Sequence, residues 1–248
     1  MPPIDATHSQ DDSTFHVHLT GFGPFHKVPV NPSWEAVQRL HDTVLPNPLP
    51  SSSTHVNEES TQTRNLRQNI RISSSLIPVK YDSVLSQVPA LHTAGFEGSR
   101  PNLVIHVGVG NEGAIRLEQR ARKWGYEKLD VDGHLGPLDE VENKRGFKGE
   151  DWVECEEELR TRIEGEEVIK SAKRRGIEYI ELSEDAGLYL CEFTFYASLA
   201  SALKQNSGRP TPVQFIHVPP LGKPYSLDEL TSALKVLVES IVNEGGLS

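Results

Sequence analysis

The stretch from Ile177 to Leu203 constrains this chain most. Ile177 to Leu182 reads as a buried strand, and Ser183-Glu184-Asp185-Ala186-Gly187 is turn chemistry. A helical pattern leaves the turn, with Leu190, Phe193, Leu199 and Leu203 near one face. Similar alternation recurs along the chain. Phe15 to Leu19 reads as a strand that breaks at Thr20-Gly21-Phe22-Gly23-Pro24-Phe25. A helix follows, with Asn31 as its cap and Pro32 in its first turn. Ile70 to Val79 reads as a strand, and Tyr81 to Ala94 as a helix carrying Val84, Leu85, Val88 and Leu91. Leu103 to Val107 and Pro212 to Val218 are buried strands, and Leu227 to Val242 is an amphipathic helix behind the cap Ser226. Strands alternating with helices predict a three-layer α/β/α sandwich around a mixed, largely parallel sheet.

At 248 residues the chain suits one domain with a full core. Residues 1–14 are polar and acidic and read as a flexible tail without a signal peptide; residues 15–248 form the expected domain. Surface insertions are expected near 46–65, where Pro, Ser, Thr, Asn and Glu dominate, and near 126–165. No apolar run is long enough to span a membrane. Residues 139–167 carry a charge balance of −7 out of the chain's −10, which reads as a solvated acidic face. There is no basic stripe for nucleic acid. The two cysteines, Cys155 and Cys191, make neither a disulfide framework nor a zinc pattern. A reducing, cytoplasmic compartment fits, and no metal or cofactor is expected.

Cys191 falls in the first turn of the helix that leaves Gly187. Unpaired backbone N–H groups and the positive end of the helix dipole lie there. Both favour a thiolate over a thiol, and the same N–H groups can hold the oxyanion made when a thiolate attacks a carbonyl. The other reading is a small apolar side chain in a buried turn. Cys155 lies in Glu154-Cys155-Glu156-Glu157-Glu158, where neighbouring carboxylates oppose a thiolate. His217 stands in an apolar strand, where a histidine is commonly a satisfied core residue.

A glycine loop offers a different chemistry. Gly108-Val109-Gly110-Asn111-Glu112-Gly113 follows a buried strand and fits the dinucleotide-binding pattern Gly-x-Gly-x-x-Gly. That reading requires a helix next and an acid about 20 residues further on; Asp130 or Asp132 would be offered for it.

Several motifs together resemble the pyroglutamyl peptidase I (pyrrolidone-carboxylate peptidase) family of cysteine peptidases. Asp185, Ala186, Gly187, Tyr189 and Cys191 match its nucleophile motif, although Glu192 replaces the family's usual Asn. Thr20 through Phe25 and Asn31 through Trp34 match its amino-terminal signature. Ile115-Arg116-Leu117-Glu118 matches the run that ends on its catalytic Glu, and Phe215-Ile216-His217-Val218-Pro219 matches its histidine motif. The resemblance implies a Cys191, His217, Glu118 triad and no cofactor. It also implies that Phe22 and Phe25 flank a pyroglutamyl ring and that Asn31 supports that site. A flat, uncharged lactam suits apolar faces and a few fixed hydrogen bonds. The implied partners are peptides with N-terminal pyroglutamate, and a homo-oligomer is compatible with it. The implied activity is removal of that residue through a thioester. A catalytically weak member that binds pyroglutamyl peptides is the other reading within the family, and a dinucleotide-binding enzyme built on residues 108–113 is the one outside it.

Between the motifs the reading is coarser. Arg120 to Leu138 is expected to form loops or a hairpin over the site, and Glu154 to Arg175 a charged helix with Leu159, Ile163, Val168 and Ile169 only partly on one stripe.

Overall fold

In the computed structural model, residues 14–25, 28–46, 69–93, 100–205 and 209–247 are described. The expected tail up to residue 13 and residues 47–65 of the first expected insertion lie outside them. A seven-stranded sheet is built from β1 (Thr14–Phe22), β2 (Val44–Leu45), β3 (Asn69–Ile77), β4 (Leu103–Val109), β5 (Ile115–Glu118), β10 (Ile180–Ser183) and β11 (Val213–Val218). Two small ribbons lie outside it. One pairs β6 (Arg120–Arg122) with β9 (Glu158–Arg160), the other β7 (Leu138–Asp139) with β8 (Lys144–Arg145). The helices are α1 (Pro32–Gln38), α2 (Tyr81–Thr93), α3 (Gly165–Arg174), α4 (Leu190–Leu203) and α5 (Leu227–Glu244).

The strand order is β10-β5-β11-β4-β1-β3-β2. The central four, β11, β4, β1 and β3, are parallel. β5 runs antiparallel to β11, with β10 parallel to β5, and β2 runs antiparallel to β3. The expected mixed, largely parallel sheet is therefore present.

Period-two alternation gives the sheet two unlike faces. Val17 and Leu19, Ile70 and Ile72, Leu103, Ile105 and Val107, Ile115 and Leu117, and Ile216 and Val218 form an aliphatic face packed under α1, α3 and α5. The opposite face carries His18 and Thr20, His106, Phe215 and His217, and Glu118, and it lies under α2 and α4. Burying these strands requires polar partners only on the second face. His18 Nδ1 hydrogen-bonds to Ser73 Oγ at 2.8 Å, Thr20 Oγ1 to His106 Nδ1 at 2.7 Å, and His92 Nε2 to Ser198 Oγ at 2.7 Å.

The cap signals hold. Asn31 Oδ1 accepts from the Ser33 N–H at 3.1 Å, with Pro32 opening α1. Ser226 and Glu229 form a reciprocal capping box on α5. The expected helix over Glu154 to Arg175 does not form as one element. Its first half pairs as β9 on β6, and only Gly165–Arg174 is helical. Leu159 packs on the α2/α4 side, whereas Ile163 and Val168 pack on the other; one straight helix cannot serve both. The expected insertion at 126–165 also contributes Tyr126, Phe147 and Trp152 to the core around α4. There Phe147 stacks on Phe193 at 4.0 Å between ring centres.

Candidate active site

His217 stands near the carboxyl end of β11 and points to the polar face. Glu118 ends β5, which runs the opposite way, so it lies beside Phe215 rather than beside His217. The diagonal across this antiparallel pair is short enough for long side chains to meet. His217 Nδ1 and Glu118 Oε1 lie 2.7 Å apart, with both side chains buried. The other carboxylate oxygen, Glu118 Oε2, is buried without a hydrogen-bond partner among the described residues.

Cys191 reaches the same place from α4. Because β10 runs antiparallel to β11, the chain leaving Ser183 must turn back before the helix can begin near His217. Gly187 and Leu188 make that return with φ of 95° and 44°. Glycine adopts such a backbone freely, but leucine is strained there. Tyr189 is the N-cap of α4 and makes no side-chain capping bond. Cys191 is therefore the second helical residue, inside the first turn where the sequence places it. The N–H groups of Leu190, Cys191 and Glu192 have no hydrogen-bond partner among the described residues.

Cys191 and His217 line the same cleft. Burial disfavours the imidazolium, but Cys191 and then Glu118 outweigh it, and the His217 pKa is raised to about 9. The glycine loop makes room for this approach. A Cβ on Gly108 would lie 2.8 Å from Cys191 Sγ, and one on Gly110 would lie 3.0 Å from His217 Cβ. The chain after Gly113 forms strand β5, where a dinucleotide motif would need a helix. The two glycines are explained by packing of the Cys–His pair, and the dinucleotide reading falls.

A cleft of about 290 Å³ opens over these groups. Gly110, Arg116, Lys128, Asp185, Tyr189, Cys191 and His217 are among the residues that line it. Lys128 was not assigned from the sequence; its Nζ donates to the Gly187 carbonyl at 3.0 Å. Phe22 is buried at the end of β1, its ring 6.5 Å from that of Phe215, which in turn lies 4.9 Å from the His217 ring. Phe25 is partly buried against the same cluster. Asn31 is buried and bonded at both amide atoms: Nδ2 donates to the Gly23 carbonyl at 2.9 Å, and Oδ1 accepts from both the N–H and the hydroxyl of Ser33. Its part is to fix the turn that carries the two Phe.

Glu192, the residue that departs from the motif, is buried and bonded to Arg122. No periodicity or spacing signals that pair, because its members are 70 positions apart. Cys155 is half-buried and free, on the far side of α4 among Leu159, Ala200 and Leu203. Among the described residues no cluster of His, Cys, Asp and Glu suits a metal ion, and no helix is long and apolar enough to cross a membrane.

The family model for pyroglutamyl peptidase matches residues 153–244. Human pyroglutamyl-peptidase 1 is 35% identical over 231 residues, which cover 92% of this chain and 90% of that protein. The pyrrolidone-carboxylate peptidase of Bacillus subtilis is 27% identical, with 89% of each chain covered. The crystal structure of Bacillus amyloliquefaciens pyroglutamyl peptidase I shares the fold with a TM-score of 0.67, at 22% identity over 92% of this chain and 97% of that one. This chain belongs to the pyroglutamyl peptidase family.

Proposed function

We propose that the chain is a cysteine peptidase that removes pyroglutamate from the N-terminus of peptides, with Cys191 as nucleophile, His217 as its acid–base partner and Glu118 as the group that orients His217. The observation that carries this is a buried His217 bonded through Nδ1 to the Glu118 carboxylate and lining one cleft with Cys191. The thiolate of Cys191, paired with the imidazolium of His217, attacks the carbonyl that joins pyroglutamate to the next residue. The first-turn N–H groups of α4 stabilise the oxyanion. His217 then protonates the departing amine as the C–N bond breaks, leaving a thioester. A water molecule, deprotonated by His217, hydrolyses the thioester and restores the thiol.

Phe22 and Phe25 supply the apolar walls for the lactam, and Asn31 holds the turn that carries them. The family resemblance and the nearness of Phe22 to Phe215 support this. The two free thiols suit a reducing, cytoplasmic setting.

The test is release of a fluorescent amine from a pyroglutamyl amide in reducing buffer. Wild type and Cys155→Ala should turn over, and Cys191→Ala should not. A folded wild type that binds the amide without turnover would make this a binding member of the family and overturn the peptidase reading.

A further inference from the structure

Glu192 is an acid in the helix turn that mounts the nucleophile, and its side chain is 1% exposed. An ionised carboxylate so buried requires partners for both oxygens. It has four donors. Oε1 accepts from the Arg122 backbone N–H at 3.0 Å and from Arg122 Nε at 2.6 Å. Oε2 accepts from Arg122 Nη2 at 2.8 Å and from the Leu188 backbone N–H at 2.8 Å. The planar guanidinium matches the two oxygens as a fork, a geometry that lysine cannot reproduce.

The last of those bonds is unusual. An acid at the third helical position commonly reaches back to the N-cap N–H and closes a capping box. Glu192 reaches one residue further, to Leu188, whose φ is 44°. The strained residue is thus the one held by a carboxylate. Among the described residues the N–H groups of Leu190, Cys191 and Glu192 are left without a partner.

Arg122 also bonds to Asp185, so one guanidinium ties both ends of the turn from 185 to 192. The rest of the β6/β9 ribbon holds the beginning of the same turn. Arg120 Nε donates to the Glu184 carbonyl at 2.8 Å, and Arg160 Nη2 to Glu184 Oε1 at 2.6 Å. These ties converge on the residues that set where α4 starts.

We propose that Arg122 and Glu192 are a positioning pair for the nucleophile, locking the left-handed Gly187–Leu188 turn so that Cys191 meets His217 with the first-turn N–H groups free. The pair touches neither the substrate nor the reacting atoms. This inference rests on the peptidase reading for its kinetic test.

Glu192→Gln keeps the shape but presents an NH₂ to donors on one side, so either Leu188 or Arg122 loses its acceptor. Displacing an attacking group by ~1 Å can cost on the order of 100-fold in rate. We expect kcat per titratable Cys191 to fall by about 10- to 100-fold, with KM changed by less than about threefold. In Arg122→Gln/Glu192→Gln the amide can turn its oxygen to Leu188. The double variant should therefore be less impaired than Glu192→Gln alone, the non-additivity expected of a coupled pair. If Glu192→Gln does not fold, Arg122→Lys carries the test, since it keeps the charge and loses the fork; a fall in kcat at near-constant KM is expected. Wild-type kcat in these variants, with only the melting temperature lowered, overturns the proposal. Alkylation of Cys191 by iodoacetamide, in a Cys155→Ala background, gives a readout independent of peptidase activity. Its pH profile should depart from that of the unsubstituted pair, and a superposable profile overturns the proposal even if the peptidase reading itself fails.

Discussion

Gly108 and Cys191 approach so closely that a methyl group on the glycine would stand 2.8 Å from the sulfur and 2.9 Å from the Phe215 ring. Gly108 pairs with His217 across β4 and β11, so the missing side chain is what lets the thiol settle beside the imidazole.

Gly108→Ala should therefore displace Cys191 or Phe215. Overpacking of this kind typically costs about 1–3 kcal/mol, and a nucleophile moved by ~1 Å can lose about 100-fold in rate. The expected variant is folded, melts at a lower temperature and has a much lower kcat. Near-wild-type kcat would show that the thiol can sit elsewhere.

Glu118→Gln replaces the carboxylate with an amide of the same shape. The hydrogen bond to His217 Nδ1 can survive, but the charge that stabilises an imidazolium is gone. Acid–base catalysis of this kind is worth about 10²- to 10⁴-fold, and we expect kcat/KM to fall within that range while the fold persists. Steady-state kinetics on a pyroglutamyl amide would decide it, and a loss of less than about tenfold would remove Glu118 from the triad.

The His217 pKa, raised to about 9, sets a direction for both activity and stability. A free histidine titrates near 6.5. Between that value and about 9 the folded protein holds a proton that the unfolded chain releases. The stabilisation is complete below pH 6.5 and is lost as pH rises through 9. On the proposed mechanism activity should fall on the same alkaline limb, because His217 would protonate the leaving amine. A kcat/KM profile flat from pH 8 to 10 would contradict this.

Acid should act on the other histidines. Burial lowers His18 to about 3 and His92 to about 4; further lowering of His18 comes from His16, His41 and His92, and of His92 from Arg100. The unfolded chain takes up these protons near pH 6.5, so the stabilisation is present above that value and is lost as pH falls toward 4 and 3. Melting temperatures from pH 7 to 4 should drop less steeply in His18→Gln than in wild type. Parallel slopes would place the acid sensitivity elsewhere.

Much of the molecule was legible because its signals are local. Alternation marked the strands, Asn31-Pro32 and Ser226 marked helix starts, and the turn before Leu190 placed Cys191 in a first turn. In the segment from Glu154 to Arg175 charge hides the division between strand and helix. Leu159 belongs to one side of the sheet and Ile163 to the other, and local pattern does not say which layer a side chain will join.

The sequence by itself determined the alternating elements, the sandwich they form, and the residue types a thiol peptidase needs. The tertiary structure decided how those residues meet. An antiparallel β5 carries Glu118 diagonally to His217, a left-handed turn brings α4 back over the sheet, and Gly108 and Gly110 leave space for a thiol and an imidazole. Arg122 finds Glu192 across 70 positions of sequence. Periodicity and caps depend on neighbours within a turn or a strand, whereas strand direction, close approach and buried charge pairing depend on which distant segments pack together.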